Sequence, residues 1–311
     1  MTSLPRFLRA LLLPVWLGAA AAGGLAQQPA PAATSGELDA AVAALFRSYG
    51  FQQRFAESYL ADTEVEPAVN DDERDVLAEV STLLATPPEQ GGPKTDQAIA
   101  LLQQNIGPAA NAVFDFTLAN LLAQKERAAD AVAAYQAAVA KKPKFRRAWN
   151  NLGLLQVKSG DFRGASQSLA RVLELGGGNA FTYGLLGVSL GNLDDHLAAE
   201  SAYRMASLLD PLTADWRLGL ARSFFKQRRF AEAATLCGTL IGGNPDRADM
   251  WLLQANAFVG MNEPKKAIEN LELVDKLGKA TADSLNLLGD VYVNEELPDL
   301  AASAYVRAMA K

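Results

Sequence analysis

The sequence predicts an all-α fold, a solenoid of antiparallel helix hairpins, and three observations carry that reading. First, small residues recur at a fixed interval. Written from Ala112 in windows of 34 that begin at 112, 146, 180, 214, 248 and 282, the eighth position reads Ala119, Gly153, Gly187, Ala221, Ala255 and Gly289. The twentieth reads Ala131, Ala165, Ala199, Ala233, Ala267 and Ala301. Self-similarity at such a period marks a repeat array. Second, large residues flank the small ones at helical spacing. Position 7 is Leu118, Leu152, Leu186, Leu220, Gln254 and Leu288, and position 24 is Tyr135, Leu169, Tyr203, Cys237, Leu271 and Tyr305. Third, Pro143, Pro211 and Pro245 close three windows at one position.

Helix packing explains these positions. Positions 4, 7, 8 and 11 share one helical face, and positions 20, 24 and 27 share another. Small residues at 8 and 20 let two helices approach closely, while the large ones fill the space around the crossing. Proline lacks an N–H and disfavours helix in the residue before it, so it stops the second helix. Gly160-Asp161 and Met261-Asn262 stand where a first helix must turn into a second.

Taken in chain order, residues 1–26 read as a secretory signal peptide. Arg6 and Arg9 precede an apolar run from Ala10 to Ala22, and Gly24-Leu25-Ala26 offers small residues for cleavage after Ala26. The run is short for a membrane span and Pro14 interrupts it. No integral membrane segment is expected in the mature chain, which is placed in the periplasm or outside the cell. Residues 27–36 read as a flexible Pro- and Ala-rich tether. Residues 37–111 read as two degenerate helical hairpins. Leu38, Val42, Leu45, Phe46 and Tyr49 are helically spaced; Val76, Leu77, Val80 and Leu83-Leu84 follow, then a loop from Pro87 and a helix around Ala98, Leu101 and Leu102. The end of a solenoid differs in sequence because it has no neighbour to cover it.

Composition excludes several kinds of chemistry. A single Cys excludes a disulfide scaffold and a Cys-based zinc site, and a single His removes most metal sites and acid–base sets. The formal charge of −6 argues against nucleic acid, whose phosphates need Lys and Arg. No metal and no cofactor are expected. Gly187-Val188-Ser189-Leu190-Gly191 spells a nucleophile elbow, but that motif works on a strand-to-helix turn and here falls inside a first helix. His196 is expected on the surface, Cys237 as a buried thiol, and the basic run Lys141 to Arg147 as favourable charge at a helix C-terminus.

The pattern resembles the tetratricopeptide repeat, whose signature is Trp/Leu-Gly/Tyr in the first helix, Ala/Phe/Ala in the second, then Pro. The windows that carry it best are Trp149-Leu152-Gly153-Ala165-Leu169 and Tyr183-Leu186-Gly187-Ala199-Tyr203-Ala206-Pro211. The resemblance covers 112–311 as six repeats, 112–145, 146–179, 180–213, 214–247, 248–281 and 282–311. Gln156 departs from it where an aromatic is usual, Asp115 and Arg217 replace the first aromatic, and Gln254 replaces a Leu.

The resemblance implies a right-handed superhelix whose first helices line a concave face, with positions 2, 5, 9, 12 and 13 pointing inward. It selects Asn120, Gln124, Arg147, Asn150, Lys158, Arg222, Lys226, Asn256, Asn286, Asp290 and Asn294, with Asn151 beside them. An Asn amide donates and accepts at once, so such a face suits an extended peptide backbone. Asp215, Asp249 and Asp283 form a column read as complements to the helix dipole. Carboxylate capture as in some members is not expected, because Phe181 and Leu185 occupy the basic positions. The function implied is a non-catalytic scaffold in a Gram-negative cell envelope that binds a protein or peptide. The other class weighed is an enzyme, or a substrate-presenting subunit, handling envelope polysaccharide or peptidoglycan. Val306 and Met309 on the last helix are expected to be uncovered, and to dock onto a partner or a second copy.

Overall fold

In the computed structural model, residues 66–86, 92 and 94–311 are described. The expected signal peptide 1–26, the tether 27–36, the first amphipathic helices of the 37–111 region and most of the loop from Pro87 lie outside the described residues. Among the described residues there are fourteen α-helices and no strand. They are α1 Asp71–Leu84, α2 Thr95–Asn105, α3 Ala112–Gln124, α4 Ala128–Lys141, α5 Arg146–Ser159, α6 Phe162–Glu174 and α7 Ala180–Asn192. These continue as α8 His196–Leu209, α9 Ala214–Lys226, α10 Phe230–Gly243, α11 Ala248–Gly260, α12 Pro264–Lys276, α13 Ala282–Asn294 and α14 Pro298–Met309.

From Ala112 onward the helices obey one grid. Every first helix (α3, α5, α7, α9, α11 and α13) begins at position 1 of its window, and every second helix begins at position 17. The turn between them is the same six times. Position 15 is Glu126, Gly160, Asp194, Arg228, Asn262 or Glu296, and each has φ between 57° and 83°. The next N–H, at position 16, donates to the carbonyl at position 11 at 2.9–3.0 Å in all six windows. That is the Schellman closure, in which one left-handed residue lets the chain reverse while an orphan helix carbonyl finds a donor. Side chains of Asn111, Asn179 and Thr281 cap the N-termini of α3, α7 and α13.

The links between hairpins come in two kinds. Where Pro stands at position 32, the preceding Lys142, Asp210 and Asn244 have φ from −129° to −143°, because a residue before proline is pushed out of the helical region. Where no Pro follows, Gly176 and Gly278 take φ +70° and +68°. Glycine adopts that conformation without a Cβ clash.

The chain divides into two compact units, one comprising residues to Asp161 with Arg171–Gly177, the other Phe162–Ala170 with Gly178–Lys311. In the first unit each helix from α1 to α5 packs on the next. Its core joins Leu77 and Val80 of α1, Leu102 of α2, Ala119 and Leu122 of α3, Tyr135 of α4 and Phe145 with Leu152 of α5. In the second unit α7 to α14 pack successively, and α9 also touches both α7 and α11. Its cores include Leu218, Ala221, Cys237, Leu240 and Met250, then Leu271, Val274, Leu285 and Leu288. Position 20 is dry throughout: Ala131, Ala165, Ala199, Ala233 and Ala267 have 0% exposure and Ala301 has 2%. Burying apolar area in this way is the main favourable term available to such a stack.

The departures from the family pattern are compensated in three of four cases. Asp115 is buried and accepts from Lys141 Nζ at 2.5 Å, so Lys141 neutralises a core carboxylate in addition to lying near a helix end. Gln156 donates to Asp161 at 3.1 Å. Gln254 donates to the Ala234 carbonyl at 2.9 Å and accepts from Asn270 at 3.0 Å, tying α10 to α12. Arg217 differs: its Nε is buried without a hydrogen-bond partner.

Candidate functional site

Helical periodicity decides which side chains remain on the surface. On α7, α9, α11 and α13 every exposed residue falls at position 2, 5, 9, 12 or 13. They are Asn192 on α7, Arg222 and Lys226 on α9, Val259 and Gly260 on α11, and Asp283, Asn286, Asp290, Val293 and Asn294 on α13. α9 touches both α7 and α11, and Ala255 of α11 shares a core with Leu285 and Leu288 of α13, so the exposed residues of these helices belong to one surface of the second unit.

Charges on this surface are partly spent within it. Arg247, just before α11, donates to Asp215 at 2.7 Å and to Asp249 at 2.6 and 3.1 Å. Two of the three column aspartates are therefore held by one guanidinium, and Asp283 is the exposed member. Burial pushes the Asp249 carboxyl up, but hydrogen bonds and charge from Arg247, with charge from Arg222, outweigh it and hold it below its ordinary value. Arg222 itself keeps 60% side-chain exposure, with Asp249 at 4.0 Å. Tyr305 donates to Asp290 at 2.8 Å. Asn256 turns its amide back onto the Leu252 carbonyl of its own helix at 2.7 Å.

In the first unit, Gln124, Arg147 and Lys158 are exposed and Asn150 is half-buried. Asn120 accepts from Tyr135 Oη at 2.5 Å and from Asn151 at 3.0 Å. This polar knot joins α3, α4 and α5, and burial pushes the Tyr135 hydroxyl up to about 12. Arg147 donates to Glu66 at 2.7 Å and lies over the Phe116 and Phe145 rings at 5.4 and 5.8 Å. Sequence reasoning assigned Asn120, Asn151 and Arg147 to a ligand-facing surface, and the structure gives each a partner inside the protein.

Ser189, Cys237 and His196 all lie on helices of the second unit. Ser189 is fully buried mid-helix and its hydroxyl donates to the Leu185 carbonyl at 2.8 Å. Cys237 is fully buried, which raises its thiol to about 12. His196 is half-buried at the start of α8 rather than on the open surface, and its Nε2 lies 3.6 Å from Asp194. Its backbone carbonyl accepts from Gln227. Among the described residues no group of three His, Cys, Asp or Glu could hold a metal ion. No helix among them is long and apolar enough to cross a membrane.

A cluster that sequence reasoning missed surrounds Glu200 on α8. The buried carboxylate accepts from Arg204 at 2.9 and 3.0 Å, Arg229 at 2.8 Å and Gln227 at 2.7 Å. Burial raises its affinity for a proton, and these donors more than reverse that, leaving the carboxyl below its ordinary value. The Arg229 guanidinium also stacks 4.4 Å over Phe224.

Comparison with known proteins gives this geometry its place. Residues 116–180 and 185–248 match the tetratricopeptide repeat family. Within those residues the chain is similar to tetratricopeptide repeats. Similar solved structures include PilW, a widely conserved type IV pilus biogenesis factor, with TM-score 0.54 and 17% identity over 64% of this chain and 93% of that one. Another is a tetratricopeptide repeat protein from Parabacteroides merdae, with TM-score 0.52 and 15% identity over 85% of this chain and 93% of that one. A third is YrrB, described as a tetratricopeptide repeat protein with an unusual peptide-binding site, with TM-score 0.51 and 19% identity over 59% and 91%. No curated protein matches. These likenesses establish the fold: an all-α helical repeat of the tetratricopeptide type. The last helix of the array leaves Val306 and Met309 exposed.

Proposed function

We propose that this protein is a non-catalytic interaction scaffold whose tetratricopeptide repeats bind an extended peptide or protein surface along their first helices. One observation carries the reading. The exposed residues of α7, α9, α11 and α13 are confined to positions 2, 5, 9, 12 and 13, so each first helix buries one side and offers the other. Ser189 and Cys237 lie buried instead. Repeat arrays use such extended faces for binding. A photoreactive residue at Arg222 or Asn286 should crosslink a partner in cells, while the same residue at Thr235 of α10 should not. Crosslinks confined to the second helices contradict the proposal.

The proposal places the protein in the cell envelope after cleavage at Ala26, on the strength of the charged, apolar and small-residue layout of residues 1–26. Mass analysis of the protein from an envelope fraction should give an N-terminus at Gln27; an intact Met1 in the cytoplasm would refute it. It extends to α14, where exposed Val306 and Met309 would meet a second copy of the chain. Light scattering should report an oligomer that Val306→Ser/Met309→Ser dissociates, and a monomer unaffected by that change opposes it.

A further inference from the structure

The surface formed by α9, α11 and α13 is chemically polarised. At α9 it offers two cations, Arg222 and Lys226, both exposed. At α13 it offers two anions, Asp283 and Asp290, both exposed, with the Asp290 carboxylate oriented by the Tyr305 hydroxyl. On α11, between them, position 12 leaves the aliphatic Val259 uncovered with 40% exposure, and position 12 of α13 adds Val293 beside the anions with 54%. Near the centre the Asp249 carboxylate is engaged by Arg247. The Asn256 amide likewise donates back to its own helix. Exposed apolar side chains flanked by opposite charges mark a contact surface rather than a solvated one.

We propose that α9, α11 and α13 seat an extended polypeptide segment with an acidic side chain at one end, a basic side chain at the other and small aliphatic side chains between. The acidic side chain faces Arg222 and Lys226, and the basic one faces Asp290, which shares position 9 with Arg222, with Asp283 about two turns further along α13. Neighbouring packed helices lie about 10 Å apart, so the two ends are about 20 Å apart. At ~3.3 Å per residue of extended chain, the acidic and basic residues of the partner are separated by about six positions. The inference rests on the reading of the first-helix face as the binding face and adds the charge order of what binds there. Long-range complementarity of this kind fixes register and suppresses segments of uniform charge.

A library of displayed random peptides selected on the full chain tests it. The enriched peptides should pair an acidic with a basic residue about six positions apart, with Val, Ala or similar between. A selected peptide should lose about ten-fold in affinity to the Arg222→Glu/Lys226→Glu chain, and a peptide with its acidic residue changed to Lys should regain it. Both substituted residues are exposed, so this chain should fold as the parent does. Peptides enriched without the charge pair, no enrichment at all, or equal binding by parent and variant would overturn the proposal. Peptides lacking the pair that still crosslink to the first helices leave the binding face standing and remove only its polarity. Crosslinks confined to the second helices remove the face itself.

Discussion

The ring of Tyr203 occupies the space that a side chain at Gly219 would need: a Cβ there would stand 2.4 Å from Cε1 and Cζ. The same ring lies against Gly187, where a Cβ would stand 2.8 Å from Cδ1. Tyr203 on α8 therefore wedges between the first helix of its own hairpin and that of the next. Gly219→Ala gains about 1 kcal/mol of helix propensity and forces the ring to shift, which costs about 1–3 kcal/mol. Net destabilisation of about 1 kcal/mol is expected by urea unfolding. In a Tyr203→Leu background, where the obstruction is smaller, the same change should be neutral or stabilising. Equal effects in both backgrounds would contradict the wedge.

The left-handed residue at position 15 makes a second prediction. A side chain there costs about 1–2 kcal/mol, and glycine avoids most of it at an entropic cost of about 0.5–1 kcal/mol. Glu296→Gly should therefore stabilise the chain by about 0.5 kcal/mol, while Gly160→Ala should destabilise it by about 1 kcal/mol. Thermal unfolding of the two variants checks the opposite signs.

Position 4 carries an unused bond. Trp149 donates from its indole to the Pro143 carbonyl at 2.9 Å, and Trp251 does the same to Pro245 at 2.8 Å. Arg217 holds the equivalent place after Pro211, with its Nε buried and unpaired. Arg217→Trp should restore the indole–carbonyl bond and stabilise by about 1 kcal/mol. A crystal structure of the variant should show the indole N–H within hydrogen-bond distance of the Pro211 carbonyl.

The Glu200 cluster sets an acid limit. Its folded carboxyl lies below the ordinary value of 4.5, so its stabilisation is complete above that value and disappears as pH falls through the folded one. Unfolding midpoints should drop on acidification below about pH 4.5. Glu200→Gln should lower stability by about 2 kcal/mol at neutral pH and flatten that acid limb. An unchanged slope would show that other carboxylates dominate it.

How much of this was legible in the sequence depended on what the chemistry of each position allows. Ala131 through Ala301 could be read because only a small side chain fits a close helix crossing, and the constraint repeats. Position 15 could not, since Glu, Gly, Asp, Arg and Asn all serve there and the constraint is on the backbone alone. The Arg247 bridge was hidden because its two aspartates lie on successive repeats, so neither spacing nor composition flags it. Asn120 was assigned to the binding face from its position in the repeat, with Asn151 beside it. Both also hydrogen-bond Tyr135, a contact that depends on the packing of α4 against α3. Arg222, Lys226, Asn286, Asp290 and Asn294 are exposed.

Residue-resolved hydrogen exchange on the full chain tests the grid most directly. The amides at position 16, Arg127, Asp161, Asp195, Arg229, Glu263 and Leu297, should exchange slowly because each donates to the carbonyl five residues before it. Protection should dip in the links between hairpins and recover in each following helix at the same interval. Position-16 amides that exchange as fast as the loops, or protection with no common period from Ala112 to Lys311, would contradict the account.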